Sequence, residues 1–215
     1  MKHEVFSIKK DYPPQDYLTI SAKSNIQSEN TISYFSLGKN TDISAESYSK
    51  HVILIGNSGI GKINIEGKMN TLKKDEIIFI LKNTIYGIST KEGLVFSEII
   101  LDKEEYIMNE LIKAGEVFKL KDLIPYQKGS IVNLDVVSNE SFKFVIMAFD
   151  EGTELSEHAA PGEAIIFALE GKGIIGYEKE EHPISAGENF HFAKGGMHTV
   201  KANGKFKMGL LLVLK

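Results

Sequence analysis

The sequence predicts an all-β protein made of two tandem copies of one antiparallel domain, joined by a single short helix. Three observations carry this reading. Short apolar or alternating runs are separated by Gly, Asn, Lys and Glu turn residues at a spacing of roughly 8–12 residues, the signature of an antiparallel sandwich or barrel. The chain aligns with itself, without a gap, at a constant offset of 112 residues. Only one stretch carries the signals of a helix.

The strands come in matched sets. In the first half they are Ile32–Leu37, His51–Ile55, Gly61–Ile65, Glu76–Leu81 and Leu94–Leu101. In the second they are Phe142–Phe149, Ala164–Leu169, Gly173–Tyr177, Asn189–Ala193 and Phe206–Leu214. No strand–helix–strand pattern occurs, which excludes a parallel nucleotide-binding sheet. The helix is expected over Asp102–Lys113, which opens on a capping aspartate, carries acids in its first turn and stops before Ala114-Gly115. It falls between the copies, as a linker would.

The repeat rests on identities held in one frame. Glu4, Val5, Phe6, Lys9, Pro13 and Gln15 meet Glu116, Val117, Phe118, Lys121, Pro125 and Gln127. Thr41, Ser44, Ile53, Gly59, Gly61 and Ile63 meet Thr153, Ser156, Ile165, Gly171, Gly173 and Ile175, and Glu66, Glu76 and Lys82 meet Glu178, Glu188 and Lys194. The expected domains are 1–112 and 113–215.

Composition narrows function. The 215 residues include no cysteine, so thiol catalysis, disulfides, iron–sulfur ligation and cysteine zinc sites are excluded. All 25 basic residues are lysine, and the net charge is -4. Without arginine there is no bidentate fork for phosphate or carboxylate, and no basic cluster exceeds Lys-Lys. No nucleic-acid partner is expected. No apolar run approaches a membrane span, and the N-terminus lacks a signal-peptide core, so a cytoplasmic protein without a membrane partner is expected.

Imidazole chemistry belongs to the second copy, which holds His158, His182, His191 and His198 of the six histidines. His158 follows Gly152 and precedes Ala160, Ala164 and Gly171; His198 follows Gly187, Ala193 and Gly195 and precedes Ala202. In these two segments the chain resembles the cupin superfamily. Gly152, His158 and Gly171 match its first motif, with Ala160 in place of the second His and Ala164 in place of the Glu. Gly187, Gly195 and His198 match the second motif, with Ala193 for its Pro and Ala202 for its Asn. The resemblance spans nearly the whole chain and implies a bicupin of two jelly-roll-like barrels. It also implies a cage of three His and one carboxylate for a divalent metal (Fe, Mn, Ni or Zn), of which only His158 and His198 remain. Glu163, next to Ala164, is the candidate carboxylate; strand parity puts it on the opposite face unless a bulge intervenes. In the first copy the motif positions hold Asn40, Glu46, Tyr48, Val52 and Gly59, then Asp75, Leu81, Asn83, Tyr86 and Thr90. That copy reads as structural, a dimerisation partner or a separate apolar pocket.

The function expected is small-molecule binding in the lumen of the C-terminal barrel, with His158, His198 and His191 as candidate contacts. His191 faces the side opposite Phe190 and Phe192; if those two pack between sheets, it enters the lumen or points to solvent. The alternative is a metal-dependent enzyme of dioxygenase or isomerase type using His158 and His198. Replacing both by alanine is expected to leave folding nearly intact. A homodimer is expected from the resemblance, with Glu4–Ile8 and Glu116–Leu120 as segments able to extend a neighbouring sheet edge.

Overall fold

The structure is a computed structural model that describes residues 4–26, 29–103 and 105–214. It holds two compact units, each a barrel of antiparallel strands. The first barrel contains β1 (Thr19–Lys23), β2 (Thr31–Leu37), β3 (Thr41–Glu46), β4 (His51–Ile65), β5 (Lys68–Lys73), β6 (Glu76–Ile80), β7 (Tyr86–Thr90) and β8 (Leu94–Leu101). Next come the short β9 (Ile107–Met108) and β10 (Val117–Lys119). The second barrel contains β11 (Ile131–Ser138), β12 (Phe142–Phe149), β13 (Glu154–Ala159), β14 (Glu163–Tyr177), β15 (Glu180–Ser185), β16 (Asn189–Phe192) and β17 (Met197–Val213).

The repeat seen in the sequence is a repeat of register. Val52 faces Ile80 across β4 and β6, and Ala164 faces Phe192 across β14 and β16. Gly61 faces Leu72 while Gly173 faces Ile184. Ile53 faces Ile99 while Ile165 faces Leu211. Even the bulges recur, between Ile43 and Glu46 and again between Leu155 and His158. β4 and β14 each join two of the expected strands through a bulge, at Gly56/Ser58 and Ala168/Glu170.

Shared turn geometry explains the motif glycines. Gly152, Gly187 and Gly195 have positive φ, and so do their counterparts Asn40, Asp75 and Asn83. Asn and Asp tolerate the left-handed region better than most residues, so the first copy keeps these turns without glycine. Gly59 and Gly171 admit no substitute of this kind. A Cβ on Gly59 would lie 2.1 Å from the Gly93 carbonyl oxygen, and one on Gly171 would lie 1.9 Å from that of Lys205.

Each barrel is filled from alternate positions of its strands. In the first, Leu37, Val52, Leu54, Ile63, Ile78, Ile80, Ile88 and Phe96 form the cluster. In the second, Phe149, Ala164, Ile166, Ala168, Ile175, Tyr177, Phe190, Phe192, Phe206 and Met208 do so.

Two sequence expectations are corrected. No helix forms among the described residues of Asp102–Lys113. Tyr106–Asn109 runs extended, with β9 pairing β11 and the Asn109 N–H donating to the Val136 carbonyl. A lone helix of this length is marginal in water, and edge pairing with β11 outcompetes its capping signals. The helices among the described residues are a single turn at Ile8–Asp11 and a 3₁₀ turn at Leu120–Asp122.

The second correction concerns the arms. The units are not divided by one cut at 112/113. Residues 4–7 belong to the unit of the second barrel, where Phe6 bridges Asn189. Glu110–Lys119 belongs to the unit of the first barrel, where Phe118 pairs with Ile77. Both segments expected to dock on another chain's sheet edge thus find an edge within their own. No helix among the described residues is long and apolar enough to cross a membrane.

Candidate functional site in the second barrel

His158 and His198 are brought together by strand pairing. β13 runs antiparallel to β17, and the two histidines are direct cross-strand partners. Their ring centroids lie 4.1 Å apart. His158 is exposed, whereas His198 is 8% exposed and lies against the Phe192 ring at 4.2 Å. The pair therefore runs from solvent into the apolar cluster that fills the barrel. Around it, Ala160 and Ala164 are both buried members of that cluster.

The backbone sets the tautomers. His158 Nδ1 lies 2.8 Å from the Ser156 carbonyl oxygen, and His198 Nδ1 lies 3.2 Å from that of Gly196. A carbonyl only accepts, so Nδ1–H is the donor in each ring. Each neutral imidazole is left with Nε2 as an acceptor. Burial holds the His198 pKa below its ordinary value; the Gly196 carbonyl opposes this and the neighbouring His158 adds to it. At neutral pH the buried member of the pair is an uncharged hydrogen-bond acceptor and base.

Burial also corrects the expectation that both imidazoles are dispensable for folding. It holds for exposed His158, but His198 is packed, and its removal leaves a void beside Phe192.

His191 is placed elsewhere. Phe190 and Phe192 belong to the barrel cluster, so His191 points to the opposite face of β16. There it sits opposite Ile165, and its Nε2 is 3.3 Å from a Glu163 carboxylate oxygen. The same parity takes Glu163 away from Ala164. Neither side chain joins the pair.

The donor set does not fit the metal cage that the motif resemblance implies. Where that cage needs a second His and a carboxylate, this chain has two buried alanines, and Glu163 is turned outward. Among the described residues no group of three or more His, Asp or Glu side chains is arranged to hold a metal ion. Tight divalent sites draw on more than two protein ligands.

The equivalent place in the first barrel is polar but carries no histidine. Glu46 is the cross-strand partner of Tyr86, in the frame of His158 and His198. Close by is a residue the sequence reading passed over: Glu98, 5% exposed, which accepts a hydrogen bond from the Tyr86 hydroxyl at 3.0 Å. The available signal was a lone carboxylate inside the apolar run Leu94–Leu101.

Two repeated antiparallel barrels, the second carrying a pair of touching histidines on neighbouring strands, define the class as a double-barrel protein. The family model described as Cupin domain matches residues 145–214, in the second barrel, and the fold of the chain is that of the cupin superfamily. Among solved structures it is similar to the Cupin 2 conserved barrel domain protein from Leptotrichia buccalis, at 26% identity over 99% of this chain and 98% of that one, with a TM-score of 0.88. It shares its fold with AerE from Microcystis aeruginosa (16% identity, 99% and 98% coverage, TM-score 0.59). It also shares its fold with a salicylate 1,2-dioxygenase from Pseudaminobacter salicylatoxidans (10% identity, 99% and 84% coverage, TM-score 0.70). No curated protein matches the sequence significantly.

Proposed function

We propose that this bicupin binds a small, largely apolar molecule bearing a hydroxyl or N–H donor, at the lumen of its second barrel, without a resident metal. The observation that carries the reading is the His158–His198 contact, one ring in solvent and one buried against Phe192. Two Nε2 acceptors in an apolar wall complement a ligand's donors, and lumens of such barrels hold one small ligand. The absence of arginine from the chain disfavours a strongly anionic ligand.

Phenol is a suitable probe, since it offers one donor on an apolar ring. Titration followed by NMR should move the ring resonances of His158 and His198 together and leave His191 still. No response at the pair, or equal response at His191, would remove the reading. Zinc added in the same experiment serves the enzyme alternative. Near-stoichiometric binding at the pair would favour a metal-dependent activity of the dioxygenase or isomerase type.

Cytoplasmic location and homodimerisation remain part of this proposal. With both arms paired inside the chain, the dimer rests on family resemblance, and a light-scattering mass of one chain would end it.

A further inference from the structure

We propose that the first barrel carries a second and different binding site, for an organic ammonium group, formed by Glu46, Tyr48, Tyr86 and Glu98. This is independent of the reading given for the second barrel.

The four side chains form a graded polar set in an otherwise apolar barrel. Glu46 is exposed, Tyr48 half-buried, and Tyr86 and Glu98 are buried. The Tyr48 hydroxyl donates to a Glu46 carboxylate oxygen at 2.9 Å, and the Tyr86 hydroxyl donates to Glu98 at 3.0 Å. The two phenol rings lie 6.1 Å apart, inclined at 42°. Position 98 is on the inward row of β8, since Leu94 and Phe96 belong to the barrel cluster and Ile100 packs against it. Glu46, Tyr48 and Tyr86 occupy the positions of His158, Ala160 and His198.

Glu98 accepts from the buried Tyr86 hydroxyl, but the barrel fold does not require a carboxyl at this position. In the repeat frame its counterpart is Leu210, which packs against the second barrel's cluster, so the fold accepts a leucine here. Among the described residues no lysine or histidine forms an ion pair with it. A buried carboxyl without a cation is costly. Burial accordingly pushes the Glu98 pKa up; the hydrogen bond from Tyr86 opposes this and Glu46 adds to it. A ligand bringing its own positive charge supplies what the site lacks.

The chemistry selects an organic cation over a metal ion. Hard divalent ions such as calcium take about six to eight oxygen ligands. Here there are two carboxylates and two protonated phenols, the latter held well above the ordinary tyrosine range by burial and nearby carboxyls. Phenol faces attract an ammonium group within about 6 Å of the ring centroid, and two inclined rings with two carboxylates match a primary or quaternary amine.

The test is isothermal titration calorimetry of the full chain with n-butylammonium and tetramethylammonium chlorides, at constant ionic strength. Neutral n-butanol and calcium chloride are the controls. One saturable site is expected for at least one ammonium ion. Affinity should fall at least tenfold in Glu98→Gln and in Glu98→Leu, which installs the residue used by the second barrel. It should fall several-fold in Tyr48→Leu and stay unchanged in His158→Ala. Circular dichroism of each variant confirms folding, and the two replacements at position 98 guard against failure of either. The proposal is overturned by absence of saturable heat, by equal binding of n-butanol, by binding of calcium but not ammonium, or by wild-type affinity in Glu98→Gln.

Discussion

His198→Ala and His158→Ala should differ sharply although the two rings touch. His198 is 8% exposed and lies 4.2 Å from Phe192, in a cluster whose members are themselves close to fully buried. Truncating a buried side chain costs about 2–5 kcal/mol through lost packing and the residual void, and an imidazole, being small and polar, falls near 2–3 kcal/mol. For a domain of about 100 residues, each kcal/mol moves the midpoint by roughly 4–8 °C, so the second barrel should melt roughly 10–20 °C lower. His158 is exposed, and its alanine variant should stay within about 0.5 kcal/mol of the parent. His198→Phe preserves a ring against Phe192 and forfeits mainly the hydrogen bond to Gly196, about 1 kcal/mol. The assay is thermal unfolding by calorimetry, paired with the phenol titration. His158→Ala and His198→Phe should both lose the phenol response while remaining folded. A His198→Ala protein that melts like the parent would show that this ring is not packed as described. A His198→Phe protein that still answers phenol would refute the role given to Nε2.

Three further outcomes follow from the geometry. Because burial lowers the folded-state pKa of His198 from its ordinary 6.5, the unfolded chain takes up more protons as the medium acidifies. Its contribution to stability is thus present above 6.5 and lost as pH falls below it, and urea melts across that window should show a slope that His198→Phe diminishes. Lys207, 7% exposed, donates to the Lys121 and Ile124 carbonyls at 2.6 and 2.8 Å and sits 4.6 Å above the Tyr126 ring. Lys207→Met should cost roughly 2–4 kcal/mol and speed proteolysis around residues 120–128, and wild-type protection there would contradict this. A chain beginning at Ile8 loses the Phe6–Asn189 bridge and the packing of Val5, so its second barrel should unfold earlier while its light-scattering mass is unaltered apart from the deletion.

The fold was legible because a repeat constrains more than either copy does alone. The offset that aligned Glu4 with Glu116 also set Glu46 and Tyr86 in the frame of His158 and His198, and strand pairing joins each couple in the same register. The helix over Asp102–Lys113 was misread because capping residues report only local preference, whereas Tyr106–Asn109 answers to an open edge of β11. Strand parity separated His191 from its phenylalanine neighbours, but parity names two faces without saying which is inside. Glu98 was hidden by the apolar residues around it, which made position 98 look like one more core site. The arms were beyond reach for another reason: an alignment says which residues are equivalent, not which copy each one pairs with.

That last point bears on how such a chain arises. Phe6 meets Asn189, and Phe118 meets Ile77; shifting either pair by 112 in opposite senses gives the other. The exchange is reciprocal and in identical register. Two separate single-barrel chains that traded N-terminal arms would make the same pair of contacts as a closed, two-fold dimer. Joining their genes end to end would keep both contacts and turn an assembly of two polypeptides into one. Halves so joined would no longer have to remain alike to recognise each other.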